Sequence, residues 1–435
     1  MPSGRWRADP IDTLTLPGAT KLDKLLTNCT VIDGQGGGPV ENAHVLISGD
    51  RIERVGSGAP DNGSTDAESI DLGGGYVLPG FFSTHVHLGD LWPNLEPDDE
   101  SVAERTLRAA CNAMDALRCG VTSMRSLGEH AFIDVALGRA FARGAINGPN
   151  IVASGNPIIA PGGHAEFMIR NLETEGAEAM RREVRRQIGN GVDCIKIVTT
   201  AGETLDPELS FGQIQFTTEE LRAAIDTAHD AGKHVCTHTG TSRGVKQAVE
   251  AGVDCIEHGY VMDRQAVDLL LENNVFYTPT LTVTHNEEFY RRVNLAASQR
   301  ERFESIRQRH AESFRLAYEA GVAITCGSDI NPVGFCALSE IELMVRLGMS
   351  ESDAIVAATS ASARSCGIGH KCGAIAPGKM ADLVVLEGNP LDDIGNIWKT
   401  RMVLKSGAVV DIGPGEGRVD FWDIFLNAGA GQAPH

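Results

Sequence analysis

The chain has 435 residues, of which 42% are hydrophobic and 22% are charged, and its formal net charge is -20. This acidic balance repels phosphate backbones and anionic lipids, which argues against a nucleic-acid-binding or membrane-surface protein. The length suits a large α/β barrel with an accessory domain. Residues 1–20 lack the apolar run of a signal peptide, and no window reaches the roughly 18 apolar residues of a membrane span. We therefore expect a cytoplasmic protein.

The ten cysteines give a second indication of the compartment. None of them forms a CxxC pair, and most lie inside apolar runs such as VDCIKIV and VDCIEHG. This pattern is typical of buried free thiols in a reducing compartment.

Both ends of the chain show the pattern of short strands. Residues 21–80 contain β-branched runs that end in glycine turns, including LLTNCTVIDG and ENAHVLISGDRIERVG. The runs KMADLVVLEG and TRMVLKSGAVVDI near the other end are similar. We predict that residues 1–80 form an N-terminal arm and the first part of a small β-sandwich. Residues 376–435 would form the remainder of that sandwich and a C-terminal tail.

The middle of the chain, residues 81–375, alternates apolar strands with amphipathic helices. The helix pattern TTEELRAAIDTAHDAG opens with a capping signature, and DRQAVDLLLENN opens with Asp263. The highly charged segment 285–320 is also helical in pattern, and we interpret it as a solvated helix. The candidate strands are FFSTHVH, VTSMRSL, IVASG, DCIKIVT, HVCTHT, DCIEHG, VFYTPTL and VAITCGSD. Eight strands that are each followed by a helix fit a closed parallel (β/α)8 TIM barrel better than an open sheet.

Polar residues at the strand ends are informative, because catalytic residues of such a barrel lie at the carboxyl ends of its strands. In the first strand, His85 and His87 are two residues apart and therefore lie on the same face. A single histidine in a strand is more often a hydrogen-bonded core residue than a ligand. The specific signal is that metal-competent residues recur in strand order. These candidate metal ligands are His85, His87, Lys196, His238, His258 and Asp329.

Lys196 lies in the otherwise apolar run CIKIV. Its period-2 neighbours Cys194 and Val198 are apolar, which predicts that its side chain points into the barrel. An unpaired buried ammonium is costly. The burial becomes tolerable if the amine is carboxylated by carbon dioxide, because the resulting carbamate can bridge two cations.

The chain resembles the amidohydrolase superfamily from VIDGQG near residue 31 to GKMADLVVL near residue 378. VLPGFFSTHVH, IEHG and GSD are similar to its first-, sixth- and eighth-strand motifs, and IAPGKMADLVVL is similar to its return to the small β domain. Within the superfamily the chain is most similar to the Xaa-Pro dipeptidase (prolidase-like) group, which is related to the imidazolonepropionases. The further matches are PGGHAEF around His164, the lysine of IKIV, and IEHGY followed by TPTL.

This resemblance implies a site with two divalent metal ions, for which zinc is the expected metal. It divides the strand-end ligands into a more buried set and a more exposed set, namely His85, His87 and Asp329, and His238 and His258. Lys196, carboxylated on N6, and a hydroxide would bridge the two ions. Two metals lower the pKa of a bridging water enough to supply hydroxide near neutral pH. Asp329 would accept the hydroxide proton and pass it to the leaving amine.

The resemblance also implies substrate contacts. In similar dipeptidases a loop histidine after the third strand and a tyrosine after the sixth contact the substrate, and these positions are His164 and Tyr260. Both side chains can donate a hydrogen bond to a carboxylate. Arg125, at the end of the second strand, is a further candidate for anion binding. An ion pair inside the barrel is an equally open interpretation of Arg125.

Two positions depart from the family pattern. The family usually has an acidic residue two positions before the first histidine of HxH, whereas this chain has Ser83 there. Loss of that carboxylate would weaken or retune the metal site. The histidine loop has the sequence GGHA instead of the commoner GGHG. The sequence therefore leaves the shape of the substrate pocket undetermined.

We expect hydrolysis of an amide whose acid-bearing side is an amino acid, in a dipeptide, an N-acyl amino acid or a related xenobiotic amide. One alternative keeps the metals but has a neutral arylurea, carbamate or amide as substrate. A second is a mononuclear deaminase or imidazolonepropionase-like enzyme, which typically has glutamate where Gly240 stands. A third is a non-enzymatic scaffold, although such relatives have lost their metal ligands. We expect a small-molecule substrate, a homo-oligomeric assembly, and neither nucleic acid nor membrane as a partner.

Overall fold

The structure is a computed structural model that describes residues 23–59, 66–93, 100–164, 173–202, 211–413 and 421–427. Residues 1–22 of the predicted N-terminal arm and residues 428–435 of the predicted tail lie outside this part. The strands are β1 (Lys24–Val31), β2 (Val40–Ser48), β3 (Arg51–Ser57), β4 (Glu68–Pro79), β5 (Phe81–Val86), β6 (Val121–Ser126), β7 (Asn150–Ala153), β8 (Cys194–Val198), β9 (His234–Thr241), β10 (Cys255–Val261), β11 (Phe276–Thr278), β12 (Leu383–Leu386), β13 (Thr400–Lys405) and β14 (Ala408–Val410).

The α-helices of the described residues follow in the same order. They are α1 (Val102–Arg118), α2 (Ile133–Ala142), α3 (Ala177–Asn190), α4 (Thr218–Asp230), α5 (Ser242–Ala251), α6 (Arg264–Glu272), α7 (Thr282–His285), α8 (Glu287–Arg292), α9 (Ala297–Ala320), α10 (Val333–Arg346), α11 (Glu351–Val356), α12 (Ser362–Ser365) and α13 (Phe421–Asn427). Shorter helical turns lie at His130–Phe132, Ala357–Ala361 and Ile394–Trp398.

The strands of the two chain ends belong to one seven-stranded sheet of order β14-β13-β12-β4-β1-β2-β3. The two ends meet where β4 pairs with β12 in antiparallel register, with Leu383 opposite Pro79. At the far edge, Ile52 N of β3 donates to Lys379 O, 2.9 Å away, in the segment that precedes β12. The sheet therefore curls around its own apolar core, and its β3 edge meets the segment that leads into β12. A sandwich in the strict sense has two separate sheets, whereas these strands are hydrogen-bonded into one.

The middle of the chain has a TIM-barrel-like α/β fold. Strands β5-β6-β7 and β8-β9-β10-β11 form two sheets with parallel pairing, and helices follow the strands along the chain. Backbone hydrogen bonds continue between the sheets, from Ile158 N to Lys196 O (2.8 Å), from Thr325 N to Tyr277 O (2.9 Å) and from Thr84 N to Cys326 O (2.7 Å). The carboxyl ends of the strands therefore converge at one end of the fold, where such folds carry their sites.

The eighth predicted strand, VAITCGSD, differs from the expectation. It forms only an isolated parallel bridge, between Ile324 and Tyr277, and no regular strand. The reason is that the amide of Cys326 donates to Ala357 O and to the hydroxyl of Ser362, both in the helical segment that follows. The segment still lies between β11 and β5 and bonds to both, but the regular ladder does not continue past Thr325 because the amide of Cys326 has helical partners.

Two predicted helix starts are confirmed. Thr217 and Glu220 form a capping box at the start of α4, in which each side chain accepts from the other residue's backbone N–H. The Asp263 side chain accepts from Ala266 N, 2.8 Å away, at the start of α6. These bonds satisfy amides that have no partner inside the first turn.

Successive side chains of β8 alternate between the interior of the fold and the layer that faces the helices. Ile195 and Ile197 belong to the large core between strands and helices. Cys194, on the opposite face, belongs to a smaller interior cluster that also contains Phe82, Cys236 and Cys255. Because Lys196 has the same parity as Cys194, its side chain shares the interior face, as the sequence pattern predicts.

The charged helical segment is less exposed than expected. Helix α9 buries Phe303, His310 and Phe314 along one face. Its many charged residues occupy the other faces and obscure this stripe in the sequence. The interpretation of segment 285–320 as a solvated helix is therefore wrong for this face of α9.

The prediction that most cysteines are buried free thiols is confirmed. All ten cysteines are free, and eight of them are buried, the exceptions being Cys111 and Cys119. Within the described ranges, no helix is both long and apolar enough to cross a membrane.

Candidate metal centre

His85, His87 and Asp329 form one compact group. The Nε2 atoms of both histidines lie 3.3 Å from Asp329 Oδ1. One ligand atom from each residue can be chosen so that all three lie within 4.8 Å of one another, a spacing that suits a single metal ion. Gly327 permits this approach, because a Cβ there would lie 2.8 Å from His85 Cβ.

His238 and His258 adjoin this group. Their ring centroids are 4.3 Å apart, and the His258 ring lies 4.9 Å from that of His85. His258 Nδ1 is 3.7 Å from Asp329 Oδ2. The Nε2 atom of His238 is buried and has no hydrogen-bond partner among the described residues. A buried nitrogen without a partner is costly, so this atom fits the role of a metal ligand.

Lys196 is 3% exposed and lies on the interior face of β8. Burial lowers the pKa of its ammonium, although the nearby carboxylates of Glu257 and Asp329 oppose this shift. The neutral amine is the form that reacts with carbon dioxide. The environment of Lys196 is therefore compatible with the predicted carbamate.

The remaining ring nitrogens of three histidines have defined partners. His85 Nδ1 lies 2.9 Å from Glu257 Oε2, and His87 Nδ1 lies 3.1 Å from Gly128 O. His258 Nδ1 lies 2.8 Å from the hydroxyl of Thr280. Such contacts fix ring orientation and leave the other nitrogen for a ligand.

Burial sets the protonation states of the group. It lowers the pKa of His85 to about 4 and the pKa values of His238 and His258 well below the ordinary value. Burial alone would raise the pKa of Asp329, but His85 and His87 hold it below its usual range. For His87, burial is the largest single influence and lowers the pKa, but the hydrogen bond to Asp329 and the negative charges of Asp329 and Asp90 together outweigh it and raise the pKa. The imidazoles of His85, His238 and His258 are therefore neutral. Neutral imidazoles beside an ionised carboxylate are suitable donors for a divalent metal such as zinc.

The structure brings His164 against the group. Its ring centroid lies 4.4 Å from that of His238, and its backbone N–H donates to Gln215 Oε1. Burial lowers the pKa of His164 to about 4. Gly202 lies beside both rings, since a Cβ there would be 2.7 Å from His238 Nε2 and 2.9 Å from His164 Nε2. Only a residue without a side chain fits at this position.

Tyr260 adjoins the group through His258. The two rings stack with centroids 5.2 Å apart, and the Tyr260 hydroxyl is 3.3 Å from His258 Nδ1. The Phe211 ring lies 6.2 Å from Tyr260, above Gly240, where a Cβ would meet Phe211 Cε2 at 3.0 Å. The aromatic rings of Tyr260 and Phe211 thus line one side of the site.

Arg125 lies apart from the predicted substrate contacts. Its guanidinium is 1% exposed and donates to Glu257 Oε1, Thr84 O and the Ser365 hydroxyl at 2.8, 2.8 and 3.0 Å. Of the two interpretations, these contacts favour the ion pair inside the barrel. The same cation lies 3.4 Å from Cys255 Sγ, so it adjoins a second group of possible ligands formed by Cys236, Cys255 and Glu257.

Sequence reasoning missed Glu257 and Thr280, which contact the candidate ligands. Glu257 carried a usable signal, because it is a carboxylate in the apolar run DCIEHG, just as Lys196 is an amine in CIKIV. Thr280 carried none, since threonine is common at strand ends.

Comparison with known proteins gives a consistent picture. The model of the Amidohydrolase family matches residues 76–410. Ochratoxinase from Aspergillus niger is 28% identical over 417 residues, which cover 88% of this chain and 85% of that protein. Imidazolonepropionase from Cutibacterium acnes is 26% identical over 394 residues, covering 83% and 88%. The crystal structure of a Xaa-Pro dipeptidase with methionine bound in the active site superposes with a TM-score of 0.83 at 30% identity, covering 89% of this chain and 99% of that one.

The family match spans well over half of the chain, and the similar proteins include a prolidase-like structure aligned over nearly its whole length. Members of this family are generally metal-dependent, which agrees with the donor set formed by the histidines and Asp329. The chain therefore belongs to the amidohydrolase family, within its prolidase-like group, and is a hydrolase of amide C–N bonds.

Proposed function

We propose that this protein is a binuclear metal-dependent amidohydrolase that cleaves an amide next to an amino-acid carboxylate. The substrates would be dipeptides, N-acyl amino acids or related xenobiotic amides. The observation that carries the proposal is the convergence of three buried imidazoles, the half-buried imidazole of His87, one carboxylate and one buried lysine at the carboxyl ends of the strands. The strongest single support is the buried Nε2 of His238, which has no hydrogen-bond partner among the described residues.

The two ions would be held by adjoining sets of ligands. The first set comprises His85, His87 and Asp329, and the second comprises His238 and His258, with carboxylated Lys196 shared between them. When bound, two divalent ions supply Lewis acidity at the amide carbonyl and lower the pKa of a water molecule.

Asp329 is suited to move a proton during hydrolysis. Its Oδ1 atom faces both His85 and His87, whereas Oδ2 points toward His258 at 3.7 Å. A carboxylate whose pKa is held low is ionised at neutral pH and can accept the proton of the attacking water at Oδ2. The same oxygen would then donate that proton to the leaving amine.

His164 and Tyr260 flank the His238–His258 pair and would bind the substrate carboxylate. The centroid of the His164 ring lies 4.4 Å from that of His238, and the centroid of the Tyr260 ring lies 5.2 Å from that of His258. His164 Nδ1 is buried without a hydrogen-bond partner among the described residues. The similar Xaa-Pro dipeptidase holds methionine in its active site, which supports an amino acid as part of the substrate.

The domain organisation follows from the same proposal. Residues 81–375 would form the metallohydrolase barrel, and residues 1–80 and 376–435 would supply a small β domain. The antiparallel pairing of β4 with β12 and the separate core of the seven-stranded sheet support this division.

The experiment combines metal analysis with a substrate panel. Purified protein should contain close to two divalent ions per chain, and chelation should abolish activity until metal is restored. The panel should include dipeptides, N-acyl amino acids, their C-terminal amides, and arylureas. Full activity in metal-free protein would refute metal dependence. Faster turnover of arylureas than of carboxylate substrates would instead support the neutral-substrate alternative.

A further inference from the structure

Glu257 bridges a candidate metal ligand and a buried cation. Its Oε2 atom lies 2.9 Å from His85 Nδ1, and its Oε1 atom accepts from Arg125 Nη2 at 2.8 Å. All three side chains are at most 1% exposed. Buried charges of this kind persist where each has a partner, so the three residues form one connected unit.

The chemistry of the three groups sets the direction of the hydrogen bonds. Arginine has no acceptor, and an ionised carboxylate has no donor. Glu257 therefore accepts from both neighbours, which places the imidazole proton of His85 on Nδ1. The lone pair then lies on Nε2, which faces Asp329 Oδ1 at 3.3 Å. This is the tautomer that a metal ligand needs.

Arg125 is itself held on more than one side. Its Nε donates to Thr84 O, the carbonyl next to His85 in β5, and its Nη1 donates to the Ser365 hydroxyl. The guanidinium thus joins β5, β6, β10 and α12. Ser83 is directed elsewhere, because its hydroxyl lies 3.1 Å from the Ser328 hydroxyl and accepts from Ser328 N. Among the described residues, Glu257 is the carboxylate that hydrogen-bonds His85 Nδ1.

We propose that Glu257 is a positioning residue that selects the metal-binding tautomer of His85, and that Arg125 fixes Glu257 for this task. The inference rests on the metal site proposed above. Arg125, the buried cation, then has a role in the site without contacting substrate. Glu257 is the carboxylate partner of His85, although position 83 is serine.

The test replaces the carboxylate with an amide of the same shape. In Glu257→Gln the amide can donate to His85 Nδ1, which favours the proton on Nε2 and blocks the ligand atom. The zinc dissociation constant, measured by competition with a chromophoric chelator, should rise by about 10–100-fold. In metal-free protein, ¹⁵N NMR of the His85 ring should show the tautomer change from Nδ1–H to Nε2–H.

Asp382→Asn is the matched control for loss of a buried ion pair. Asp382 is 4% exposed and pairs with Lys405 Nζ at 3.0 Å, in the sheet formed by the chain ends. This variant should lose stability while zinc affinity and the His85 tautomer stay unchanged. The double variant Arg125→Met/Glu257→Gln removes the cation that the single variant leaves unpaired. It should regain thermal stability without regaining zinc affinity.

The outcomes separate the two proposals. Wild-type zinc affinity and tautomer in Glu257→Gln, or full recovery of affinity in the double variant, would show that Glu257 only stabilises the fold and would overturn the inference. If the wild-type protein bound no metal, the proposed function would fail, yet the NMR comparison in metal-free protein would still decide the role of Glu257.

Discussion

Glu257 and His258 are consecutive residues of β10, and both side chains point into the same cluster. Glu257 Oε2 lies 2.9 Å from His85 Nδ1, and the His258 ring lies 4.9 Å from the His85 ring. Successive side chains of a regular strand point to opposite faces. The left-handed backbone of His258, with φ of 72°, breaks this alternation. Such a conformation is uncommon outside glycine and concentrates at functional sites.

Asp329, the proposed proton-transfer residue, also has a left-handed backbone conformation, with φ of 63°. A substitution at this position must therefore tolerate positive φ. Asparagine also tolerates positive φ, so Asp329→Asn should keep the fold. We expect kcat to fall by about 10²–10⁴-fold, because general acid–base catalysis is lost, with a further loss if metal is released. Steady-state kinetics and circular dichroism of the same preparation check this. A kcat close to wild type would remove Asp329 from the proton-transfer role.

Lys196→Ala tests the bridging role. We expect most activity and at least one metal ion to be lost, because only a carbamate from this position can join the two ligand sets. Added bicarbonate or short carboxylic acids should partly restore both. Metal content by elemental analysis and the hydrolysis rate are the measurements. A variant with both ions and the wild-type rate would show that Lys196 is a core residue.

Gly202→Ala should disturb the more exposed ion selectively. The new Cβ would lie 2.7 Å from His238 Nε2, so the ring must move away from its ligand position. We expect about one ion per chain to remain and activity to fall steeply, as measured on freshly desalted protein. Gly189→Ala in α3 is the matched control, because its Cβ meets nothing within 4 Å. Retention of both ions in Gly202→Ala would argue against His238 as a ligand.

Tyr260→Phe separates substrate binding from chemistry. Phenylalanine keeps the ring that stacks on His258 and removes only the hydroxyl. If that hydroxyl binds the substrate carboxylate, kcat/KM should fall by the equivalent of about 1.5–3 kcal/mol, as for hydrogen bonds to charged groups. The matching C-terminal amides should lose much less. Equal losses on acids and amides would reject the carboxylate role.

The buried carboxyl of Asp134 should make the free energy of unfolding depend on pH. Burial raises the pKa of this carboxyl from 3.8 to about 7, and Glu129 adds to the shift. The folded state therefore holds the proton more tightly than the unfolded state. The contribution of the Asp134 carboxyl to the free energy of unfolding is therefore fully present below about pH 4 and is lost as the pH rises toward about 7. In urea unfolding of metal-free protein, Asp134→Asn should lose less stability over this window than wild type. Parallel pH profiles would contradict the prediction.

The sequence by itself determined the type of fold and the composition of the site. Alternating apolar strands and capped helices predicted the TIM-barrel-like fold, and the cap at Thr217 is found where the pattern placed it. The two-residue spacing of His85 and His87 predicted a shared face, and both Nε2 atoms meet Asp329 Oδ1. These features could be predicted because adjacent residues set the period of a strand and the first turn of a helix.

The tertiary structure decided which groups are partners. Arg125 had two open interpretations, and its pairing with Glu257 joins residues 132 positions apart. The irregular eighth segment depends on Cys326 donating to Ala357 O instead of to a neighbouring strand. The buried stripe of α9 was hidden by the charges around it. Local patterns do not contain this information, because the choice of partner depends on which distant strands and helices the fold places side by side.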